Sequence, residues 1–275
     1  MKKVFAIHDI SGIGKCSLTA ALPIISAAGV ECCPIPTAVL STQTGDIDGY
    51  TFRDLTQDLE NYIHHWKILG IEPDCIYSGY LGSKSQIDII SNLIDETKEY
   101  NPLIVIDPAM ADFGELYRGF TNDFAGKMKK LCKKADIIVP NITEASILTG
   151  KEYKGAPHEK EYINSLVFAL QKEFSCHICL TGVSLNENEL GLCVLNKDGS
   201  EPFYIASSLI KGRYYGTGDI FASSLVACLM NDLSLENSAA KALEFTHASI
   251  EACFNDKTDP RFGVPFEKCL KILDF

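Results

Sequence analysis

Short apolar runs alternate along this chain with longer segments whose hydrophobic positions recur at the period of a helix. The short runs have the length and composition of buried strands. They lie at Val4 to Ile7, Glu31 to Leu40, Cys75 to Tyr77, Leu103 to Ile106, Ile137 to Val139 and Ile178 to Leu180. The amphipathic helical segments lie at Cys16 to Ala28, Phe52 to Trp66, Ser83 to Tyr100 and Phe120 to Lys134. This alternation predicts βαβ units, and therefore a mainly parallel sheet with helices on both faces.

The last third of the chain departs from this alternation. Gly191 to Asn196 and Glu201 to Ile205, joined by the turn-forming residues Lys197 to Ser200, predict a hairpin late in the sheet. After Gly216 the pattern is largely helical as far as Glu251. We therefore expect an antiparallel addition to the parallel sheet, followed by helices.

Chain length and the lack of linkers bear on the number of domains. The sequence has 275 residues, which is enough to bury one large α/β core. It contains no internal repeat, low-complexity tract or long linker. The prediction is one domain over residues 1–275, with small excursions over the sheet near residues 41–52 and 110–120.

The formal net charge of −11 restricts the partners that this chain can bind. It argues against nucleic acids and anionic membranes, so an anionic substrate needs a local positive field from backbone amides, a metal ion or a few lysines. The first residues contain only a strand-length apolar run and predict no signal peptide. No stretch approaches the roughly 20 apolar residues of a membrane span. A cytoplasmic location is expected.

Eleven cysteines are scattered through the chain, mostly inside apolar runs. The CxxC pattern at Cys176 to Cys179 lies in an apparent strand and has no second pair of ligands. This distribution favours buried free thiols in a reducing compartment over a zinc or redox site.

Polar residues follow the predicted strands, where ligands of parallel α/β sheets collect. They are Asp9, Thr44, Asp46, Tyr80, Asp107, Asp112, Asn141, Glu144, Thr181 and Asp219. A set of acids, amides and hydroxyls at the strand ends suits a metal–nucleotide together with a small polar substrate.

The run Gly216-Thr217-Gly218-Asp219 carries the most specific chemistry. It is a small-residue turn that opens a helix, whose first amides and dipole form an anion site. An acid in the first turn can accept a proton from a hydroxyl while the amides hold a phosphoryl group, as phosphate transfer to an alcohol requires. An ordinary helix N-cap uses the same residue types, so both interpretations stay open at this point.

The segment Gly12 to Ser17 resembles a P-loop only superficially. A Walker A motif needs Gly where Asp9 stands and Ser or Thr where Cys16 stands, and a dinucleotide fingerprint also fails. A glycine-rich turn that lines a pocket is the better interpretation. Lys15 adds a positive charge there, or is simply solvated.

Two acidic segments predict a cation environment, although each has a purely structural alternative. Asp107 and Asp112 lie on an irregular loop after a strand and can share Mg²⁺ through water, or form a capped turn. Asn141 and Glu144 can serve the phosphates and the metal, or form a capping box. Tyr80 closes an aromatic wall over a planar ring, or packs in the core.

Taken together and in order, these motifs resemble the ribokinase-like superfamily and, within it, the pyridoxal/pyridoxamine kinases. The matching segments are His8 to Ser17, Thr37 to Gly45, Ser78 to Gly82, Asp107 to Asp112, Pro140 to Glu144 and Gly216 to Asp219. The resemblance covers essentially the whole chain. It implies a three-layer αβα sandwich with a mainly parallel central sheet, and ATP-dependent phosphorylation of the 5′-hydroxymethyl group of a B6 vitamer.

The resemblance also assigns roles to individual residues. Asp219 matches the catalytic base, and the amides of Gly216, Thr217 and Gly218 match the anion hole. The positions that line the pyridine pocket are Asp9, Thr44 and Tyr80, with Tyr117 on a flap that reaches the substrate. The positions on the Mg–ATP side are Asp112, Asn141, Glu144 and Thr181, and the metal candidates are Asp107, Asp112 and Glu144. The implied cofactors are ATP and Mg²⁺, with a monovalent cation as a further candidate, and the implied assembly is a homodimer.

Two departures from the family pattern concern substrate choice. Many pyridoxal kinases carry Ser where Asp9 stands, and His where Gln43 stands. An acid against the ring favours a protonated pyridine nitrogen or the amine of pyridoxamine. Hydroxymethylpyrimidine kinases of thiamin synthesis are the main alternative, and a non-catalytic vitamer-binding protein on the same fold is a second.

Overall fold

The computed structural model describes residues 1–199 and 201–274, so Ser200 of the predicted hairpin turn lies outside the described residues. The strands are β1 Lys3–Ile13, β2 Glu31–Thr42, β3 Phe52–Asp54, β4 Cys75–Ser78, β5 Leu103–Ile106, β6 Ala111–Asp112, β7 Glu115–Leu116, β8 Ile137–Ile138, β9 His177–Val183, β10 Glu189–Leu195 and β11 Phe203–Ser208. The helices are α1 Leu18–Ala27, α2 Thr56–Ile68, α3 Lys84–Glu96, α4 Asn122–Cys132, α5 Ile142–Thr149, α6 Lys160–Phe174, α7 Thr217–Met230 and α8 Leu235–Asp256.

The chain forms two compact units. One comprises Met1–Leu103 with Ile210–Phe275, and the other comprises Ile104–Leu209. The expectation of a single domain over residues 1–275 stays a prediction.

In the first unit, β1 is the central strand. It pairs in parallel with β2 on one side and β4 on the other, while β3 adds to β2 in antiparallel fashion. Helix α7 packs against both α1 and α8, and α2 packs against α3. Val4, Ala6 and Ile7 of β1 are fully buried, as expected for a strand covered on both faces.

In the second unit, β8 pairs in parallel with β5 and β9, and β9, β10 and β11 follow as antiparallel neighbours. The predicted late hairpin is therefore confirmed as β10 and β11. A separate hairpin of β6 and β7 occupies the excursion predicted near residues 110–120. Helices α4, α5 and α6 pack within this unit.

Three predicted boundaries were wrong because pairing between distant segments overrides the local pattern. The first strand does not stop at Ile7 but continues to Ile13, since its second half pairs with the end of β2 after a register shift between His8 and Ile10. The helix predicted from Phe52 begins at Thr56, because Phe52–Asp54 pairs with β2. Accordingly, α1 begins at Leu18 rather than Cys16.

All eleven cysteines are free thiols, as predicted. Burial raises the pKa of the Cys176 thiol to about 12, and it also raises the pKa of the Cys179 thiol. Within the two described stretches, none of the helices combines the length and apolar character that crossing a bilayer requires.

Candidate active site

Helix α7 is one of four helices, with α1, α2 and α6, that begin without a side-chain cap in the described residues. Side-chain oxygens of Ser83, Thr121, Asn141 and Ser234 cap α3, α4, α5 and α8. Helix α7 begins instead at Gly216, which provides no side-chain hydrogen bond. The first amides of α7 and the positive end of its dipole therefore present an N-terminus suited to an anion.

The position of Gly216 requires glycine for two reasons. Its φ is 75°, in the left-handed region. A Cβ atom there would also lie less than 3.0 Å from the backbone carbonyl of Lys15. The close approach brings the turn between β1 and α1 against the N-terminus of α7, so both segments line the same part of the first unit.

Asp219 lies in the first turn of α7 with its side chain 20% exposed. Its Oδ1 is 3.9 Å from Nδ1 of His8, a fully buried residue of β1. Burial lowers the pKa of the His8 imidazole to about 3, so this ring is neutral at physiological pH. A partly exposed carboxylate beside helix amides has the access that a base for a bound hydroxyl needs.

Asp9 is a second acid in the same unit and is only 5% exposed. Its Oδ1 accepts a hydrogen bond from Ser17 Oγ at 2.6 Å, and its Oδ2 accepts one from Ser11 Oγ at 2.9 Å. Burial raises the pKa of Asp9, while the two serine hydroxyls and a backbone amide lower it. The buried thiol of Cys16 lies in the fields of both Asp219 and Asp9, which raise its pKa beyond the effect of burial. The two acids therefore face a common region.

Tyr80 lies close to this region, just after β4. Burial raises the pKa of its phenol to about 12, and the charge of Asp9 is the next cause. The Tyr80 carbonyl accepts a hydrogen bond from Thr37 Oγ1 at 3.4 Å. The charge of Asp9 thus acts on both Tyr80 and Cys16, and that of Asp219 acts on Cys16, while the assignment of the three predicted residues to one substrate site stays a prediction.

Thr44 is exposed on the loop that follows β2. Buried Gln43 holds this loop, because its Nε2 donates to the carbonyls of Gly45 at 2.6 Å and Arg261 at 2.9 Å. Asp46 accepts a hydrogen bond from the Tyr215 hydroxyl, next to Gly216. The loop that carries Thr44 is therefore tied to the segment that enters α7.

Lys15 is engaged at the protein surface. Its Nζ lies 2.7 Å from Glu267 Oε2 and 5.8 Å from the centroid of the Phe266 ring. Of the two interpretations of this lysine, the structure shows an exposed ion pair rather than a charge directed into a pocket.

The second unit gathers the predicted nucleotide-side residues around Glu144, which is 2% exposed. Its Oε2 accepts from the Asn141 amide at 2.9 Å, and Asn141 Oδ1 accepts in turn from the Glu144 amide, so the capping box is present. Its Oε1 accepts from the amides of Met110 at 2.9 Å and Ala111 at 3.4 Å. Glu144 therefore joins α5 to the loop after β5.

Asp107 begins that loop, and its Oδ1 accepts a hydrogen bond from the Ala109 amide at 3.1 Å. Burial raises the pKa of Asp107, and the charge of Glu144 raises it further. Burial also raises the pKa of Glu144, while backbone amides lower it. Because Glu144 receives more backbone donors, we infer that Glu144 is the ionised member of this pair.

The remaining predicted residues of the second unit lie nearby or on the flap. Asn141 Nδ2 donates to the Ala111 carbonyl at 2.8 Å, and the Thr181 amide donates to Pro140 at 2.9 Å. Asp112 ends β6 and accepts a hydrogen bond from the Phe113 amide at 2.8 Å. Tyr117 follows β7 and is 40% exposed.

These oxygen donors have the chemistry that Mg²⁺ prefers, and a bound cation would favour the ionised form of both Asp107 and Glu144. In the part of the chain that the structure describes, no group of three or more His, Cys, Asp or Glu side chains converges to hold a metal directly. The metal assignments of Asp107, Asp112 and Glu144 stay predictions.

Sequence reasoning missed the roles of His8, Ser11 and Ser17 in arranging the acids. All three lie within the segment His8 to Ser17 that matches the family. Their contacts depend on α7 and on the continuation of β1, which no local pattern reveals.

Comparison with known proteins shows the family of this chain. The family model for phosphomethylpyrimidine kinase matches residues 14–260. The chain belongs to this family.

Two solved structures resemble the chain along nearly its whole length. One is a Bacteroides thetaiotaomicron protein, provisionally assigned as a phosphomethylpyrimidine kinase and crystallised with pyridoxal. It is 36% identical, with a TM-score of 0.93 over 100% of this chain and 96% of the other. Pyridoxal kinase from Lactobacillus plantarum is 29% identical, with a TM-score of 0.90 over 99% of this chain and 96% of the other.

A Saccharomyces cerevisiae protein provisionally assigned as a pyridoxal kinase is 28% identical over 174 residues, which is 60% of this chain. The match spans 54% of the length of that yeast protein. The predicted ribokinase-like α/β fold and the relationship to pyridoxal kinases are confirmed. Like the family members it resembles, the chain alternates strands and helices around a mainly parallel sheet.

Proposed function

We propose that this protein transfers the γ-phosphoryl group of ATP to the 5′-hydroxymethyl group of a B6 vitamer. The observation that carries the proposal is Asp219 in the first turn of α7, a helix that starts at Gly216 without a side-chain cap. A pure binding protein has no need of a carboxylate at that place. The pyridoxal bound to the Bacteroides relative and the pyridoxal kinase activity named for the Lactobacillus relative support the choice of substrate.

In the proposed reaction, the acceptor oxygen bonds to the γ-phosphorus as the bond from that phosphorus to ADP breaks. Asp219 accepts the hydroxyl proton, and the amides of Gly216, Thr217 and Gly218 hold the charge on the phosphoryl oxygens. The dipole of α7 adds to this stabilisation because its positive end faces the anion. A partly exposed carboxylate can release the proton to solvent after the product leaves.

The substrate ring is assigned to Asp9, Thr44 and Tyr80, with Tyr117 on the flap. The field of Asp9 at Tyr80 supports a shared pocket for these two side chains. An ionised Asp9 would bind more tightly to a substrate that carries a positive charge or a strong hydrogen-bond donor, through a charge-assisted hydrogen bond. We therefore expect pyridoxamine to be used at least as well as pyridoxal.

In the second unit, Asp112, Asn141, Glu144 and Thr181 are assigned to ATP and its metal ion. When bound, Mg²⁺ supplies positive charge that neutralises the phosphate oxygens. Asp107, Asp112 and Glu144 would hold the ion, chiefly through water. Glu144 also orients the loop after β5 through the Met110 and Ala111 amides, so it acts on the loop even where it does not touch the ion.

The competing substrate is hydroxymethylpyrimidine, which the name of the matching family favours. Both substrates are planar heterocycles with a hydroxymethyl acceptor, so Asp219 would serve either one.

A cytoplasmic location and a homodimer complete the proposal. Light scattering near 60 kDa, twice the chain mass of 30.2 kDa, is expected for the dimer, and a mass near 30 kDa at micromolar concentration would contradict it.

The decisive experiment measures kcat/KM for pyridoxal, pyridoxine, pyridoxamine and hydroxymethylpyrimidine under one ATP–Mg²⁺ condition. Higher values for the three vitamers support the proposal, and Asp9→Ser should shift preference from pyridoxamine towards pyridoxal. A strong preference for hydroxymethylpyrimidine would overturn the vitamer assignment while keeping the kinase. Tight vitamer binding without turnover would favour the alternative of a non-catalytic vitamer-binding protein.

A further inference from the structure

His8 is a buried polar side chain that the proposed reaction leaves unused. It is 0% exposed, and neither of its ring nitrogens has a hydrogen-bond partner within the described residues. Buried polar atoms without partners are rare in folded proteins, and each one calls for an explanation, such as a role in chemistry or ligand binding. A packing role alone is better filled by an apolar side chain.

The surroundings of His8 hold its ring in one place. The ring lies edge-on to Tyr77 of β4, with 4.4 Å between ring centroids. A Cβ on Gly79 would lie less than 3.0 Å from the ring atoms Cε1 and Nδ1, so the glycine makes room for the imidazole. On the remaining side, Nδ1 faces Asp219 Oδ1 across 3.9 Å.

Burial keeps this ring neutral, although a negative charge on the neighbouring acids by itself would favour the imidazolium. Burial lowers the pKa of His8 to about 3. Asp219 of α7 faces the ring, and Asp9 adjoins His8 in the chain, with a pKa that burial raises and its serine donors lower. The thiol of Cys16 is neutral, since its pKa is raised by burial and by both acids. A neutral imidazole carries one N–H, and the position of Asp219 favours the tautomer with that proton on Nδ1.

We propose that His8 is a positioning residue, whose neutral imidazole donates its Nδ1 proton to Asp219 and orients that carboxylate towards the acceptor hydroxyl. The proposal rests on the proposed function of Asp219 as the base. The present 3.9 Å separation exceeds a hydrogen bond, and rotation of the partly exposed Asp219 side chain would shorten it. Such contacts often tighten only when the reactants are bound.

The first test compares His8→Leu with His8→Asn. The Asn amide nitrogen can occupy the place of Nδ1, whereas Leu fills a similar volume without a donor. We expect His8→Leu to lower kcat roughly tenfold with little change in KM, and to move the acidic limb of the kcat–pH profile upward by about one unit, because Asp219 loses a donor to its ionised form. His8→Asn should recover most of both effects. Unchanged kcat and pH profile in a folded His8→Leu variant would overturn the proposal.

The second test does not depend on turnover, and it reads the tautomer of His8 in the unaltered protein. The chain has six histidines, and ¹⁵N-histidine spectra of the intact protein, assigned with His8→Asn, report the tautomer of His8. We expect a neutral ring protonated at Nδ1 between pH 6 and 8, whose signals shift in Asp219→Asn. A ring protonated at Nε2 would refute the proposal even if the enzyme is an active kinase. Conversely, the expected tautomer with no phosphorylation of any of the four acceptors would leave the pair intact and reject the proposed function.

Discussion

Replacing Gly216 by alanine tests whether the start of α7 is built as the structure indicates. Alanine at φ 75° enters the left-handed region, which is unfavourable by about 1–2 kcal/mol for a residue with a Cβ. The new Cβ would also lie less than 3.0 Å from the Lys15 carbonyl oxygen. That neighbour is backbone, so it cannot rotate away as a flexible side chain would.

The chain offers a matched control in Gly29, in the same unit. Gly29 has φ 76°, nearly identical to that of Gly216, but a Cβ there would meet no atom within 4 Å. Gly29→Ala therefore carries the conformational term of about 1–2 kcal/mol alone. Gly216→Ala adds an overpacking term of about 1–3 kcal/mol, since the β1–α1 turn must shift. The difference between the two variants isolates the contact with Lys15.

Urea unfolding followed by tryptophan fluorescence measures both effects. The single tryptophan, Trp66, lies in α2 of the same unit, with its ring 4.8 Å from that of Phe5 in β1. We expect both variants to lower the free energy of unfolding, with Gly216→Ala lower than Gly29→Ala by about 1–3 kcal/mol. Equal losses in the two variants, at equal dependence on urea, would refute the close approach of Gly216 to Lys15.

The remaining predictions address chemistry, metal and pH. Asp219→Asn should keep the fold and ligand binding but lower kcat by roughly 100-fold or more, and near-normal turnover would remove it from the mechanism. Activity should require Mg²⁺ or Mn²⁺, and Glu144→Gln and Asp112→Asn should each raise the metal concentration needed for half-maximal activity. Full activity in excess chelator would contradict this expectation. Gly218→Ala should keep or raise the free energy of unfolding, because a Cβ there meets nothing within 4 Å. If the Gly218 amide faces the phosphoryl group, the same variant should lower kcat/KM at least about tenfold in activity assays. Burial lowers the His8 pKa to about 3 in the folded state, so the stability from its neutral form is present above about pH 6.5 and is lost as pH falls towards 3. Urea titrations at several pH values should show that the free energy of unfolding falls less with acidification in His8→Asn than in the unaltered protein.

Elements whose signals are local could be predicted from the sequence closely. Helix α5 runs from Ile142 to Thr149 because Asn141 and Glu144 form the capping box that the spacing indicates. Strand β5 has the predicted bounds, with apolar residues between Pro102 and the Asp107-Pro108 pair. In both cases the residues that define the element are its own neighbours in the chain.

Elements that depend on distant partners could not be predicted in the same way. Residues 8–13 contain three polar side chains and one glycine, yet they continue β1 because β2 offers a pairing edge there. The Asp9 carboxylate is tolerated in this buried strand because Ser11 and Ser17 donate to it. The ring of His8 is placed by Gly79 and Tyr77, far along the sequence. The motif could be recognised, but its internal contacts could not.

The two glycines of the GTGD run show how structure separates packing from function. At Gly216, the left-handed φ and the Lys15 carbonyl explain the glycine fully, with no appeal to a ligand. At Gly218, neither reason applies, because φ is not in that region and a Cβ would meet open space. Glycine also lowers helix propensity, so stability alone favours another residue at this position. What remains is the need for a ligand to approach the backbone, and it falls on the helix turn that carries Asp219. Gly218, which packing does not explain, is therefore the stronger evidence of the two glycines for an anion-binding role at the start of α7.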